Sequence, residues 1–248
     1  MELGMWDIIL IVGVSTQATV MAYTFEPKWK ALLYSLPIPF TLASMSLGEP
    51  IGVTHVAGLL VLLGFFHLVR LLHQVRKWPI LVSIVLGAAC YATAGAGLAE
   101  IFPRGPLSFW VAVLVTGIVG MTLFLATPHR PEPGHRSPLP VWIKLPTIMI
   151  VIGCLVAVKQ HLRGFMPMFP MMGVITAYEG RHSLWTITFQ LPFLFLPFLT
   201  MMTFYRVLQP HIWLVPAFAM WLPVHLATLS LITRWQWARR HRQEQVGE

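Results

Sequence analysis

Apolar residues of this chain are grouped into long blocks, which are separated by short stretches rich in charged residues, proline or glycine. Most blocks approach the roughly 20 residues that a helix needs to cross about 30 Å of hydrocarbon. Nine helices are predicted on this pattern, over residues 6–23, 31–47, 51–72, 79–101, 106–127, 142–161, 165–179, 185–208 and 210–233. The pattern therefore predicts an all-α, polytopic membrane helix bundle.

The composition agrees with a membrane protein and excludes several other classes. Hydrophobic residues make up 56% of the chain and charged residues only 10%, whereas a soluble domain carries roughly 25% charged residues. Cys90 and Cys154 lie inside apolar blocks without metal-type spacing, and Asp7 is the only aspartate. We therefore expect no metal, no cofactor and no catalytic residue of the phosphoryl-transfer type.

The distribution of Lys and Arg predicts the orientation. With nine spans, one side receives Lys28, Lys30, Arg70, Arg76, Lys77, Arg130, Arg136, Lys144, Arg181, Arg234, Arg239, Arg240 and Arg242; the other receives Arg104, Lys159, Arg163 and Arg206. Basic residues accumulate in cytoplasmic loops. The C-terminus is therefore predicted to be cytoplasmic and the N-terminus outside, and the net charge of +8 is ascribed to topology rather than to nucleic-acid binding.

A faint internal repeat is present at an offset of about 130 residues. Leu36-Pro37-Ile38 corresponds to Met166-Pro167-Met168, and Ser46-Leu47-Gly48-Glu49 corresponds to Thr176-Ala177-Tyr178-Glu179. The predicted organisation is a four-helix repeat over 1–101, a joining helix and Pro-rich cytoplasmic loop over 102–141, a second repeat over 142–234 and a basic tail over 235–248. A single joining helix inverts the second repeat and predicts a transporter-like 4+1+4 arrangement.

The segment Gly164-Phe165-Met166-Pro167-Met168-Phe169-Pro170, followed by an apolar run to Tyr178 and by Glu179-Gly180-Arg181, resembles the signature of the GlpM family of small bacterial inner-membrane proteins. The resemblance covers residues 142–234, and Pro37-Ile38-Pro39-Phe40 is a degenerate form of it in the first half. It implies a bacterial inner-membrane location and a loose association with glycerol-phosphate or envelope metabolism. It implies no catalytic residue.

Ten residues are predicted to bind substrate: Pro37, Glu49, Lys159, His161, Arg163, Pro167, Pro170, Glu179, Arg181 and His182. The prolines interrupt two short spans in corresponding positions, which is a pointer to a transport site; alternatively they occupy first helical turns. Glu49 and Glu179 end those spans, where a carboxylate gates protons, binds a cation or is simply solvated.

The remaining candidates are cations. Lys159, His161 and Arg163 oppose the topological trend, so they are read either as an anion site or as side chains that snorkel to the interface. Arg181 and His182 follow Glu179 and predict a local ion pair. Three intramembrane histidines, His55, His67 and His225, are assigned hydrogen-bonding or cavity-lining roles rather than haem ligation. Four glycines are predicted to let helices approach closely: Gly95, Gly97, Gly117 and Gly120.

The function predicted first is a small inverted-repeat membrane transporter, or a lipid-handling protein, for an anionic solute or head group. The second is a non-catalytic membrane subunit that scaffolds a partner complex. The third is a membrane-embedded lipid-modifying enzyme that uses His182 or His161 with a nearby Glu as acid and base. Membrane lipids, an anionic substrate, and a second copy of the chain or a membrane complex are the expected partners; nucleic acid is not.

Overall fold

The computed structural model describes residues 4–102, 105–126, 132–157 and 163–246, and every regular element in these ranges is a helix. The first five helices are α1 (Met5–Tyr23), α2 (Pro27–Tyr34), α3 (Ile38–Leu47), α4 (Val53–Arg70) and α5 (Ile80–Ile101). A π-helical turn, Leu71–Val75, extends α4. The other five are α6 (Pro106–Ala126), α7 (Val141–Ala157), α8 (Met171–Glu179), α9 (Leu184–Leu208) and α10 (Leu214–Val246), and a 3-10 helix, Arg163–Met168, precedes α8.

Six helices in the described part of the chain are long and apolar enough to cross a membrane. They are Met5–Tyr23, Val53–Val75, Ile80–Ile101, Pro106–Ala126, Leu184–Leu208 and Leu214–Arg234. Two shorter apolar helices are Leu32–Leu47 and Val141–Ala157. The chain is thus an all-helical, multi-pass membrane protein, as its sequence predicts.

The helix expected over 31–47 is divided in two. Pro37 and Pro39 supply no N–H groups, so the carbonyls of Leu33 and Ser35 lose their i+4 donors, and α2 ends at Tyr34. The segment expected to be helical over 165–179 is divided in the same way, since Pro167 lies within the 3-10 helix and Pro170 directly precedes α8. Both short spans are therefore proline-broken.

The C-terminal segment also differs from expectation. The last helix is predicted to end at residue 233, but α10 continues without interruption to Val246, so most of the predicted basic tail over 235–248 is helical. The reason is local, because no proline or glycine occurs between Trp235 and Val246 to stop the helix.

Three helices form the interior of the bundle. In their most apolar windows, α1, α4 and α9 have 50%, 56% and 71% of their residues buried, whereas α5, α6 and α10 have 28%, 22% and 17%. Exposed apolar side chains on the outer helices include Leu81, Leu107 and Leu231. Such surfaces are stable only if lipid covers them.

Glycines allow close contact at some of the predicted positions. An added Cβ would lie 2.8 Å from Cδ2 of Phe195 at Gly120 and 3.2 Å from Cβ of Phe165 at Gly95. At Gly117 the contact would be ordinary, and at Gly97 an added Cβ would meet nothing within 4 Å. The prediction is therefore confirmed for Gly95 and Gly120 and is wrong for Gly97.

The approach of α6 to α9 can be tested at Gly120. We expect Gly120→Ala to lower the free energy of unfolding by about 1–3 kcal/mol, because the new methyl group overpacks the contact with Phe195. Gly64 is the control, because its added Cβ would meet nothing within 4 Å, and Gly64→Ala should leave stability unchanged or raise it by up to about 1 kcal/mol. The measurement is reversible unfolding in detergent micelles; equal stabilities of the two variants would contradict the close approach.

Candidate functional site

A buried group of charged residues lies at one end of the bundle. The Glu179 carboxylate, at the end of α8, accepts a hydrogen bond from Nζ of Lys144 at 2.5 Å, and the Glu179 backbone carbonyl accepts one from Nζ of Lys30 at 3.1 Å. Lys144 also donates to the Ser137 hydroxyl. These four residues are called the Glu179 cluster. Glu179 is only 2% exposed, and Lys30 and Lys144 are 1% and 5% exposed.

The Glu179 cluster holds two ammonium groups and one carboxylate. A buried charge is costly unless it is paired and hydrogen-bonded, and here Lys144 pairs directly with Glu179 while Lys30 reaches only its carbonyl. Burial lowers the pKa of Lys30, which lies before the apolar segment Leu32–Leu47; the negative charge of Glu179 opposes this shift, and the positive charge of Lys144 adds to it. The cluster therefore buries an excess of positive charge.

Three further basic residues lie beside the Glu179 cluster. Arg181 donates to the Tyr178 carbonyl at 3.0 Å and lies over the Tyr178 ring, so the ion pair with Glu179 expected for it is replaced by that of Lys144. The rings of His182 and His135 are 5.0 Å apart. Partial burial, and then the charge of Arg181, lower the pKa of both histidines. Protonation of either histidine is therefore disfavoured in the folded protein.

The described residues directly before α7, 132–140, are tied to this end of the bundle by hydrogen bonds. The N–H groups of His135 and Ser137 donate to the carbonyls of Phe25 and Ala22 at 3.2 and 3.1 Å. The Glu132 carboxylate accepts the N–H groups of Trp185 and Thr186 at 3.2 and 2.6 Å, at the N-terminus of α9. A negative charge is favoured at that position by unpaired amides and by the helix dipole.

Side chains from other helices satisfy the carbonyls that the proline breaks release. Nε2 of Gln17 donates to the Leu33 carbonyl at 2.6 Å, and Nε2 of His225 lies 3.5 Å from the Ser35 carbonyl. At the second break, the Tyr91 hydroxyl donates to the Phe165 carbonyl at 3.0 Å. None of these three donors was selected from the sequence as a break-capping residue.

The two proline breaks face a common apolar cavity of about 40 Å³. Its lining includes Leu36, Pro39 and Phe40 from the first break and Pro167, Met168 and Phe169 from the second. The predicted site residues divide between roles here. Pro167 lines the cavity, as a transport site would require. Pro37 and Pro170 immediately precede α3 and α8, so they lie at helix starts, close to the position that the sequence offered as the alternative.

Glu49 lies at the opposite end of the bundle from Glu179. The two ends are separated by α4, whose 18 residues correspond to about 27 Å. At its start, Glu49 is exposed and lines a cavity of about 500 Å³ together with His55 and Arg206. At its far end, Arg70 stacks over Trp185 with its guanidinium carbon 4.6 Å from the ring centroid.

The predicted basic cluster before Gly164 cannot be placed. Lys159 and His161 lie outside the described residues, and Arg163 begins the 3-10 helix with its side chain outside the description. The structure instead brings Arg181 and His182 together with Lys30 and Lys144, which the sequence treated only as topological charges. A signal was present, since Lys144 lies between Ile143 and Leu145 in an apolar helix, where ionisable residues often have a function.

The chain matches no protein-family model, no curated protein and no solved structure.

The pairing within the Glu179 cluster predicts non-additive mutant stabilities. Glu179→Gln should destabilise the protein by about 3–5 kcal/mol, because it leaves two buried lysines without a carboxylate. Adding Lys144→Met should recover part of this loss, since it removes one of the unpaired charges. The exposed Glu49 at the other end is the matched control, and Glu49→Gln should change stability by no more than about 0.5 kcal/mol. Additive losses in the double variant would contradict the pairing.

The lowered pKa values of His135 and His182 predict a pH dependence of stability. Unfolded histidine titrates near about pH 6.5, so the unfolded state takes up protons first as pH falls below that value. The free energy of unfolding is thus highest, as far as these two histidines contribute, above about pH 6.5. It decreases as the pH falls from there towards the lowered pKa values of the folded state. The difference in melting temperature between wild type and His182→Gln, measured from pH 8 to pH 5, should shrink or change sign on acidification. A constant difference would contradict the shift.

Proposed function

We propose that this protein is a small inverted-repeat membrane transporter, or a lipid-handling protein, for an anionic solute or head group. The observation that carries the proposal is the meeting of two proline-broken spans at one cavity inside the bundle. Interrupted helices paired across the interior are a recurring architecture of membrane transport sites, because they bring unpaired backbone groups to mid-bilayer.

Nine crossings fit the packing of the described helices. In this topology the apolar segment Leu32–Leu47, which comprises the end of α2 and all of α3, forms the second crossing, and the 3-10 helix with α8 forms the seventh. Contacts at the two ends support the alternation, since Lys30 reaches Glu179 at one end while Ser46 donates to the buried Asp7 at the other. The broken spans then each cross once, as the long helices do.

The order of elements supports the repeat. On each side of α6 the chain has a helix, a proline-broken span and two further helices. Glu49 and Glu179 end the two broken spans at opposite ends of α4, which is the placement that an inverted pair requires. Arg70 and Arg206, which correspond in the two halves, likewise lie at opposite ends.

Charge supports an anionic ligand and an orientation. Lys30, Lys144 and Arg181 lie near the carboxylate of Glu179, and the rings of His135 and His182 lie beside them. This end is the cytoplasmic one under the positive-inside rule, and a bacterial inner membrane, with membership of the GlpM-like family, is our proposal from the sequence resemblance. A cluster of cations within reach of one another attracts phosphate or carboxylate groups.

Reconstitution in proteoliposomes tests the function. We expect wild-type protein to accelerate uptake of labelled phosphate or glycerol phosphate, or flipping of a fluorescent phosphatidylglycerol, above the rate of empty vesicles. Arg181→Ala should slow that rate at least about tenfold, since losing a hydrogen bond to a charged group costs about 1.5–3 kcal/mol. Glu179→Gln should slow it as well, because Lys144 loses the carboxylate that holds its ammonium group in place. Arg76→Ala, which removes an exposed arginine following α4, is the control and should be unchanged.

The possible outcomes distinguish an error in the proposed function from an error in the proposed site residues. No rate above that of empty vesicles would contradict transport and lipid handling; recovery of a stoichiometric partner complex with the same preparation would then support the scaffold instead. Chemical turnover of the labelled lipid by purified protein would support an enzyme. Transport that Glu179→Gln and Arg181→Ala leave unchanged would contradict only the site.

A further inference from the structure

The cavity at the Glu49 end has the dimensions of a small-molecule site. It lies at the start of α4, beside the end of α5 and the start of α6, and has a volume of about 500 Å³. Sites for organic ligands usually measure about 300–1,000 Å³ and combine apolar walls with a few polar groups. Here Phe102 and Phe109 supply apolar wall, while His55, Arg206 and Glu49 supply the polar groups. We call it the Glu49 cavity.

Arg206 is held in the wall of the Glu49 cavity by a hydrogen bond to a backbone carbonyl and by contact with an aromatic ring. One guanidinium nitrogen donates to the Ile51 carbonyl at 3.0 Å, and the guanidinium lies over the Phe109 ring at 5.6 Å from its centroid. The Ile51 N–H in turn donates to Oε1 of Gln209 at 2.8 Å. A guanidinium has five N–H donors in a rigid fork, so the bond to Ile51 fixes its orientation and leaves donors for a ligand.

His55 lies in the wall of the same cavity. Its Nδ1 accepts the Gly52 N–H at 3.2 Å, so the neutral imidazole carries its hydrogen on Nε2. That Nε2 is buried and has no hydrogen-bond partner among the described residues, and the side chain as a whole is 1% exposed. A buried donor without an acceptor is unfavourable.

The start of α4 supplies backbone donors. Val53 and Thr54 line the cavity and belong to the first turn of an 18-residue helix, where the N–H groups have no partners within the helix. The positive end of the helix dipole adds to the field of Arg206. A guanidinium and helical amides therefore line one cavity, whose wall also contains the unpartnered imidazole of His55.

We propose that the Glu49 cavity binds an organic oxyanion, a carboxylate or phosphate attached to an apolar carbon skeleton. The oxyanion contacts Arg206, His55 and the first turn of α4, and the skeleton lies against Phe102 and Phe109. The inference rests on the proposed function for its expectation of an anionic substrate, and it deepens that function by naming the ligand class and the residues at this end. The ligand is either a soluble solute or the head group of a lipid.

Glu49 allows a test in which a substitution should make oxyanion binding tighter rather than weaker. Its carboxylate is exposed and lines the same cavity, so it repels an anion at the entrance. Removing that charge with Glu49→Gln should tighten the binding of an oxyanion, by about fivefold for charges a few ångströms apart in water. Misfolding cannot produce this result, because a damaged site binds more weakly.

The experiment measures binding to the full chain in phosphatidylcholine nanodiscs by calorimetry, with butyl phosphate and butyrate as probes and neutral butanol as the matched ligand control. We expect saturable binding of a charged probe and none of butanol. Arg206→Gln should weaken binding at least about tenfold through loss of charge-assisted hydrogen bonds. His55→Phe should weaken it less, Glu49→Gln should tighten it, and Arg76→Gln should have no effect.

A second measurement distinguishes the source of the oxyanion. The protein is prepared in nanodiscs that contain phosphatidylglycerol and is examined by native mass spectrometry. If the ligand is a lipid head group, wild type should retain anionic lipid and Arg206→Gln should lose it. Binding of the soluble probes without retained lipid indicates a soluble solute. Retention and probe binding that are both independent of Arg206 would overturn the site, as would weaker binding in Glu49→Gln. Oxyanion binding without uptake or flipping would overturn transport and leave this site, whereas uptake without binding here would do the reverse.

Discussion

Lipid offers no hydrogen-bond partners, and this constraint governs the interior of the bundle. Pro37 and Pro39 remove the i+4 donors of two carbonyls near the start of an apolar segment, and a side chain from another helix approaches each carbonyl. Gln17 of α1 reaches Leu33, and His225 of α10 reaches Ser35. The break therefore brings helices that are distant in sequence to one point. It also explains why polar residues occur in these otherwise apolar helices.

The same constraint explains where the charges lie. Lys144, Lys30 and Glu179 are buried, but they meet at the end of the bundle, where α2, α7 and α8 begin or end and where ion pairing and hydrogen bonds offset part of the desolvation cost. At the opposite end Arg206 is fixed by a carbonyl and an aromatic ring instead of a carboxylate. The two ends are therefore chemically different, with a buried ion pair at one and an open, polar-lined cavity at the other.

The proline breaks have two features, namely carbonyls that are mostly satisfied and prolines that line a common cavity. Their released carbonyls are largely satisfied by protein, so the breaks are stable as they stand. Yet Pro39 and Pro167 also line one cavity from opposite halves of the chain, and a broken span bends or slides more readily than a continuous helix because fewer intrahelical bonds resist it. A broken span whose carbonyls are satisfied fits the alternation between two arrangements that the proposed transport function requires.

The pattern of apolar blocks and prolines is enough to predict the all-helical membrane fold and the positions of most helices, because the lengths of apolar blocks and the places of proline are local properties that bilayer thickness selects. It also predicts the two proline-broken segments and the glutamates that end them. It does not show that Glu179 pairs with Lys144 rather than Arg181, or that His55 and Arg206 share a cavity with Glu49. Those pairings join residues far apart in the chain, so they depend on how the helices pack, and no local pattern records which side chains that packing brings together.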